Sequence, residues 1–167
     1  MITINETIIE KYKDELNDLV FDNFNSKIAL TIGNYIIDIA KKNGYAITID
    51  ISKFNHQLFH FSFDGTTPDK DLWIIRKRNV VHHFFTSSIY IAKKLEKDGT
   101  NLFDKYGLPV DEYSATGGSV PIIVRNTGII GSITVAGLKP EEDHNLVIYA
   151  IKKFLKSKGD ELDGFNF

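Results

Sequence analysis

Two hairpins separated by helices predict an α+β fold: a mostly antiparallel sheet with helices packed against it. The first hairpin is signalled by alternation over residues 45–52, with Ile47, Ile49 and Ile51 on one side and Thr48, Asp50 and Ser52 on the other. Lys53 leads into Phe54-Asn55-His56, a turn that carries the chain into a second strand over 57–63. The second hairpin joins 120–125 to 129–136 through Asn126-Thr127-Gly128, a loop with glycine where a positive φ is needed.

The helices follow from periodicity and capping. Residues 5–19 predict a short first helix. Ser26 is placed to cap a second, in which Ile28, Ile32, Tyr35, Ile36 and Ile39 share a face and Gly44 ends it. The loop over 65–69 opens a third helix running to about Phe85, and Ser87 or Ser88 caps a fourth that continues to Gly99. Residues 100–116 read as irregular, with a short turn at 102–106. Pro140 starts the last helix, with Glu141, Glu142 and Asp143 at its positive end and Lys152, Lys153, Lys156 and Lys158 at its negative end.

Composition bounds the function. The 167 residues, 43% hydrophobic and 25% charged, match one globular domain over 1–167, with a helical extension at 1–24 and a flexible tail at 159–167. Phe165 and Phe167 in that tail are candidates to dock on a neighbour. A net charge of −2 and a pI near 6.2 supply no field for nucleic acid. With no cysteine, disulfides, thiolate metal sites and cysteine nucleophiles are excluded. The first residues lack a basic leader with an apolar run, and no stretch approaches the roughly 20 apolar residues of a membrane span. A cytoplasmic location, away from membranes, is expected.

The most informative stretch is the third helix, which carries Arg76-Lys77-Arg78 and the single tryptophan. At about 100° per residue, Trp73, Val80, Val81 and Phe84 form an apolar arc with Lys77 in its middle and the two arginines flanking it. A cation on a core-facing stripe needs a partner, a route to water, or a ligand.

Three blocks carry a family resemblance. They are Gly65-Thr66-Thr67-Pro68-Asp69 leading to Arg76-Lys77-Arg78-Asn79-Val80-Val81, then Gly117-Gly118-Ser119-Val120-Pro121-Ile122, then the run from Gly128 to Leu138 followed by Glu142-Asp143-His144. In order and spacing, this chain resembles the haem-degrading-domain family (HbpS/GlcG-like), in particular its cytoplasmic branch, over roughly 25–155. The resemblance implies a profilin-like α/β/α sandwich and a symmetric homo-oligomer. It implies haem or a small organic acid as ligand, and no particular reaction. Thr116 stands where family members often have histidine, and Val120 where they have phenylalanine, so an axial-ligand role for that histidine does not carry over.

Candidate sites read from the residues follow. The Gly117-Gly118-Ser119 turn can present backbone N–H groups to an anion or can simply be a tight strand entry. Arg76, Lys77 and Arg78 nearby would favour a carboxylate or phosphate. His144 shares a face with Ile148, Ile151 and Leu155, where it can be a ligand, a base, or a buried ring satisfied by other groups. Asp143 beside it complements the helix start. Asp50 lies on a polar strand face, either solvated or ion-paired with Arg76 or Lys77 against a helix. His82 and His83 point about 100° apart and cannot chelate one metal, so no metal site is predicted. Haem needs a single axial donor, for which His60, His82, His83, His144, Tyr106 and Tyr113 are formally available. No nucleophile elbow, Walker loop, dinucleotide fingerprint or zincin helix occurs.

The expected function is therefore a cytoplasmic homo-oligomer holding a small anionic ligand, haem included, near Arg76, Lys77, Arg78, Gly117, Gly118, Ser119 and His144. The alternative is a non-catalytic oligomeric scaffold for other proteins. An enzyme using His144 as base ranks behind both.

Overall fold

The computed structural model describes residues 3–157. In chain order these form α1 (Thr3–Asp14), a 3-10 turn (Glu15–Asp18), β1 (Val20–Phe21), α2 (Ser26–Asn43), β2 (Thr48–Lys53) and β3 (His56–Ser62). There follow α3 (Pro68–Phe84), α4 (Ser88–Asp98), α5 (Leu102–Tyr106), β4 (Ser119–Val124), β5 (Gly128–Ala136) and α6 (Pro140–Ser157). The tail expected at 159–167, with Phe165 and Phe167, lies outside the described residues.

The strands make one sheet in the order β1-β4-β5-β2-β3. Both expected hairpins are present and antiparallel, and β2 pairs with β5 to join them through the middle of the sheet. The short β1 was not expected from the sequence. It adds to the sheet by running parallel to β4, so the amino-terminal segment is more than a helical extension. Two residues carry no readable alternation, and only pairing with β4 makes them a strand.

The sheet has two unlike faces. Ile49, Ile51, Val120, Ile122, Ile133 and Val135 pack against Ile28, Ile32 and Ile36 of α2 and Val147 and Ile151 of α6. Burying each such side chain is worth about 1.5–3 kcal/mol, which makes this layer the main source of cohesion. The opposite face carries Thr48, Asp50, Ser52, Ser132 and Thr134, all buried. That polar face is covered by α3 of the same chain. The result is an α+β sandwich with helices on both sides of the sheet.

Local details explain the ends. Asn25, not Ser26, caps α2: its side chain accepts from Ile28 N at 3.0 Å, and Ser26 is the first helical residue. Ser87 caps α4 by accepting from Tyr90 N. On α3 the buried residues are Ile74, Lys77, Val80 and Val81, while Trp73 and Phe84 are only half-buried. The buried stripe is thus rotated from the expected apolar arc toward Ile74, and Lys77 remains on it. A second small apolar cluster of Val80, Ile91, Leu95 and Leu102 holds α3, α4 and α5 together. No helix among the described residues is long and apolar enough to cross a membrane.

Candidate functional site

Lys77 is 3% exposed and enters from α3 toward the carboxyl end of β5. Its Nζ donates to Asp143 Oδ2 at 2.9 Å and to Val135 O at 3.0 Å. Asp143 is set by the start of α6, where its other oxygen accepts from Leu138 N at 3.0 Å. Burial pushes the Lys77 amine below the usual lysine range, against the opposing pull of Asp143. Burial likewise pushes the Asp143 carboxyl up, against Lys77. Each partner is biased toward its neutral form by the loss of water, while their mutual attraction holds the ion pair.

The double-glycine bend meets this pair. A β-carbon on Gly117 would strike the Pro140 carbonyl, and one on Gly118 would lie 2.7 Å from Lys77 Nζ. Only glycine leaves room for the lysine and the start of α6 to close over this strand entry. A cleft of about 180 Å³ opens beside the pair, lined by Lys70, Trp73, Lys77, Thr116, Leu138 and Asp143 among others. With Asp143 already bonded to Lys77 and Leu138 N, the cleft keeps an excess of positive charge from Lys70.

The neighbouring cations go elsewhere. Arg76 stacks over the Trp73 ring at 5.5 Å and donates to Asp111 O at 3.1 Å. It lines a larger pocket of about 440 Å³ with Leu95, Leu102, Phe103, Val110 and Tyr113. Arg78 turns to the polar sheet face, where Nη1 lies 3.3 Å from Asp50 Oδ1. Asp50 is 0% exposed and also accepts from Ser52 Oγ and Gln57 Nε2, each at 2.7 Å. Asp50 therefore pairs with Arg78 rather than with Arg76 or Lys77. Successive helical residues diverge in direction, so three adjacent cations serve three separate places.

Two further candidates stand apart from the cleft. Ser119 N donates to Ser88 Oγ at 3.1 Å, and its hydroxyl bonds Thr134 Oγ1 at 2.8 Å, which ties it into the interior. His144 is 0% exposed, with Nε2 hydrogen-bonded to Glu15 and its ring edge-on to Tyr12 at 5.2 Å. Its direction is set by α6, on which it lies one position beyond Asp143 and faces the amino-terminal segment. Lys70 and Thr116, which do line the cleft, were not singled out as binding residues. Neither belongs to a recognisable motif, and only the fold brings them beside Lys77. Asp143 had been read as a helix-start residue. The buried position of Lys77 was the signal that an acid had to be near it.

The six formal haem donors are spread over the molecule. No histidine or tyrosine lines the Lys77 cleft. His82 bonds Ser132 Oγ at 3.0 Å, and burial lowers its pKa. His60 lies between Asp50 and Asp71, 3.2 Å from the latter. His83 is exposed, and Tyr106 packs edge-on to Phe84. Tyr113 alone of the six lines the larger pocket, together with Arg76. The small cleft, about 180 Å³, thus offers a porphyrin neither room nor a histidine or tyrosine donor. Among the described residues no group of three or more His, Asp or Glu side chains is placed to hold a metal ion.

Comparison with known proteins agrees with this architecture. The family described as "Haem degrading protein HbpS-like" matches residues 24–152. This chain belongs to the HbpS-like family. A UPF0303 protein of Paraburkholderia phymatum is 45% identical over 133 residues, which cover 80% of this chain and 81% of the relative. The crystal structure of Ybr137w protein superposes with a TM-score of 0.83 at 30% identity, covering 89% of this chain and 88% of that one. A PduOC:haem complex superposes with a TM-score of 0.66 at 12% identity, over 77% and 93% of the two chains, and so shares the fold. The matched span 24–152 includes α3, the double-glycine bend and Asp143, so the whole Lys77 cleft lies on family sequence.

Proposed function

We propose that this HbpS-like chain is a small-ligand-binding protein whose Lys77 cleft takes a compact carboxylate. The observation that carries the reading is the convergence of Lys77, Lys70 and Thr116 on one cleft beside Gly118. Two ammonium groups are donors matched to a carboxylate, and the neighbouring acid is already bonded. At about 180 Å³ the cleft is smaller than the roughly 300–1,000 Å³ pockets that hold drug-sized ligands, which favours a molecule of a few carbons. The test is a thermal-shift and native mass-spectrometry titration with lactate, malonate and succinate. Stabilisation lost in Lys70→Glu supports the reading. No shift with any of them, or shifts that survive Lys70→Glu, ends it.

A second reading rests on the larger pocket. Its volume of about 440 Å³ and apolar lining suit a flat conjugated ligand, with Arg76 for a propionate and the Tyr113 phenol on its wall. The PduOC:haem complex shares this fold and gives that reading its ligand. Titration with haemin, followed at the Soret band and repeated on Arg76→Ala and Tyr113→Phe, separates it from the first reading.

Self-association belongs to the same proposal. β3 is an edge strand, and Ile75 of α3 lines a pocket with Gln57 and His60 of that strand while staying exposed, as does Leu72 one turn earlier on the helix. A homo-oligomer formed through this face, working in the reducing cytoplasm that a cysteine-free chain suits, would show as a multimer by light scattering. Leu72→Glu should disperse it. The scaffold alternative predicts instead a stoichiometric protein partner retained on affinity purification.

A further inference from the structure

Lys77 is an amine held in a cleft beside a carboxyl group, and that arrangement has a chemistry beyond binding. An ammonium has three N–H donors, of which two are engaged by Asp143 Oδ2 at 2.9 Å and Val135 O at 3.0 Å. The residue lines the cleft with Lys70, Trp73 and Thr116. Asp143 cannot swing away, because Leu138 N anchors its second oxygen at 3.0 Å. The carboxyl is thereby fixed within proton-transfer distance of Nζ. We infer that Lys77 forms an imine with a small aldehyde or 2-oxo acid held in this cleft, with Asp143 as the group that takes and returns the proton.

The step balances without any added oxidant or reductant. Asp143 accepts a proton from the ammonium and leaves a neutral amine. The amine lone pair attacks the carbonyl carbon as the C=O π bond opens, and proton transfer from nitrogen to oxygen gives a carbinolamine. Asp143 returns its proton to the departing hydroxyl, water leaves, and the C=N bond forms. The resulting iminium faces the Asp143 carboxylate, which replaces the ion pair present before reaction. Amine and carbonyl have become imine and water. Several features favour the first transfer. Burial disfavours the charged amine, Lys70 is a like charge acting in the same direction, and burial raises the affinity of Asp143 for a proton. Lys70 and Thr116 would hold the carboxylate of a 2-oxo acid while its carbonyl meets Nζ.

This inference rests on the carboxylate reading of the cleft and adds a carbonyl to the ligand, so the two need separable tests. The full-length protein is incubated at neutral pH with pyruvate or glyoxylate and sodium cyanoborohydride, then analysed by intact mass and peptide mapping. The expected result is one reduced adduct on Lys77, formed faster than on any surface lysine, because the cleft holds the carbonyl against Nζ and burial favours the neutral amine. Lactate, which lacks the carbonyl, should slow labelling by competition. Asp143→Asn, which keeps an acceptor for Leu138 N, should slow it without moving the adduct. Because the adduct is mapped on the unmodified sequence, the result does not depend on Lys77→Arg folding. Adducts spread evenly over surface lysines would overturn the imine. If lactate and pyruvate still stabilise the protein in that case, the carboxylate reading stands alone; if neither does, both fall.

Discussion

A β-carbon added to Gly118 would sit 2.7 Å from the Lys77 ammonium and 2.5 Å from the Val135 carbonyl oxygen to which that ammonium donates. The placement of the lysine therefore requires a glycine at this position. Gly118 also has φ of 131°, which strains any other residue.

Gly118→Ala should accordingly combine backbone strain with overpacking and lose about 3 kcal/mol in urea unfolding. Gly128→Ala is the control. It has φ of 103° but nothing within 4 Å of an added β-carbon, so only strain remains and the loss should stay near 1 kcal/mol. Equal losses at the two positions would mean that the close approach to Lys77 carries no weight.

Removing one member of the buried pair should cost more than removing both. Lys77→Met leaves Asp143 without its counter-charge and should destabilise by about 3–5 kcal/mol at neutral pH. Lys77→Met with Asp143→Asn should recover most of that, because the Leu138 N–H keeps an acceptor and no charge is buried. Acid should rescue the single variant in part. The Asp143 carboxyl is held above its ordinary value by burial, and in Lys77→Met the opposing influence of the lysine is gone. A carboxyl with a raised folded pKa contributes stability that is complete below its unfolded value and lost as pH rises through the folded one. Urea midpoints for Lys77→Met should therefore climb as pH falls from neutral toward the ordinary carboxylate range. A flat profile would contradict this account of the pair.

Much of this arrangement was legible in the sequence, and the remainder was hidden for physical reasons. Alternation in 45–52 located both a strand and its polar face, because period-two patterning survives in a half-polar strand. Lys77 announced itself as a cation on a buried stripe. What the sequence could not carry was direction at long range. Arg76, Lys77 and Arg78 are consecutive, yet their partners are Asp111, Asp143 and Asp50, brought together only by folding. Asp50 was an ion-pair candidate on a polar strand face, but its partner Arg78 could not be told from Arg76 or Lys77 because the helix that covers it lies elsewhere in the chain. Ser119 belonged to a glycine-rich turn on paper, but its N–H is spent on Ser88 of α4. β1 escaped notice because its two residues have no pattern of their own.

The three cations should have three different costs. Arg78→Ala leaves Asp50 buried with the Ser52 and Gln57 donors and the more distant His60 ring at 3.9 Å, and should lose about 2 kcal/mol. That is below the figure for a wholly buried pair, since the Arg78 side chain keeps 21% of its exposure and is screened by water. Arg76→Ala removes a stack on Trp73 and one bond to a loop carbonyl, so its loss should stay within about 1 kcal/mol. Thermal or urea unfolding should therefore rank Lys77 above Arg78 above Arg76. A ranking with Arg76 first would place the structural role of α3 on the wrong face.

His144 should be one of the fastenings of the amino-terminal segment, beside the α1–α4 contact and the β1–β4 pairing. His144 Nδ1 is buried with no hydrogen-bond partner, so its contact through Nε2 to Glu15 carries the whole polar satisfaction of the ring. Glu15→Ala would leave both ring nitrogens unmatched and should cost about 1–3 kcal/mol. Glu15→Gln restores an acceptor and should recover a large part of it. Hydrogen exchange distinguishes this local fastening from general weakening. Glu15→Ala should accelerate amide exchange in α1 and the 3-10 turn while β2 and β5 stay protected, because the central strands open only with the whole sheet. Acceleration spread evenly over α1 and the central strands would show that Glu15 stabilises the fold at large rather than pinning this segment to α6.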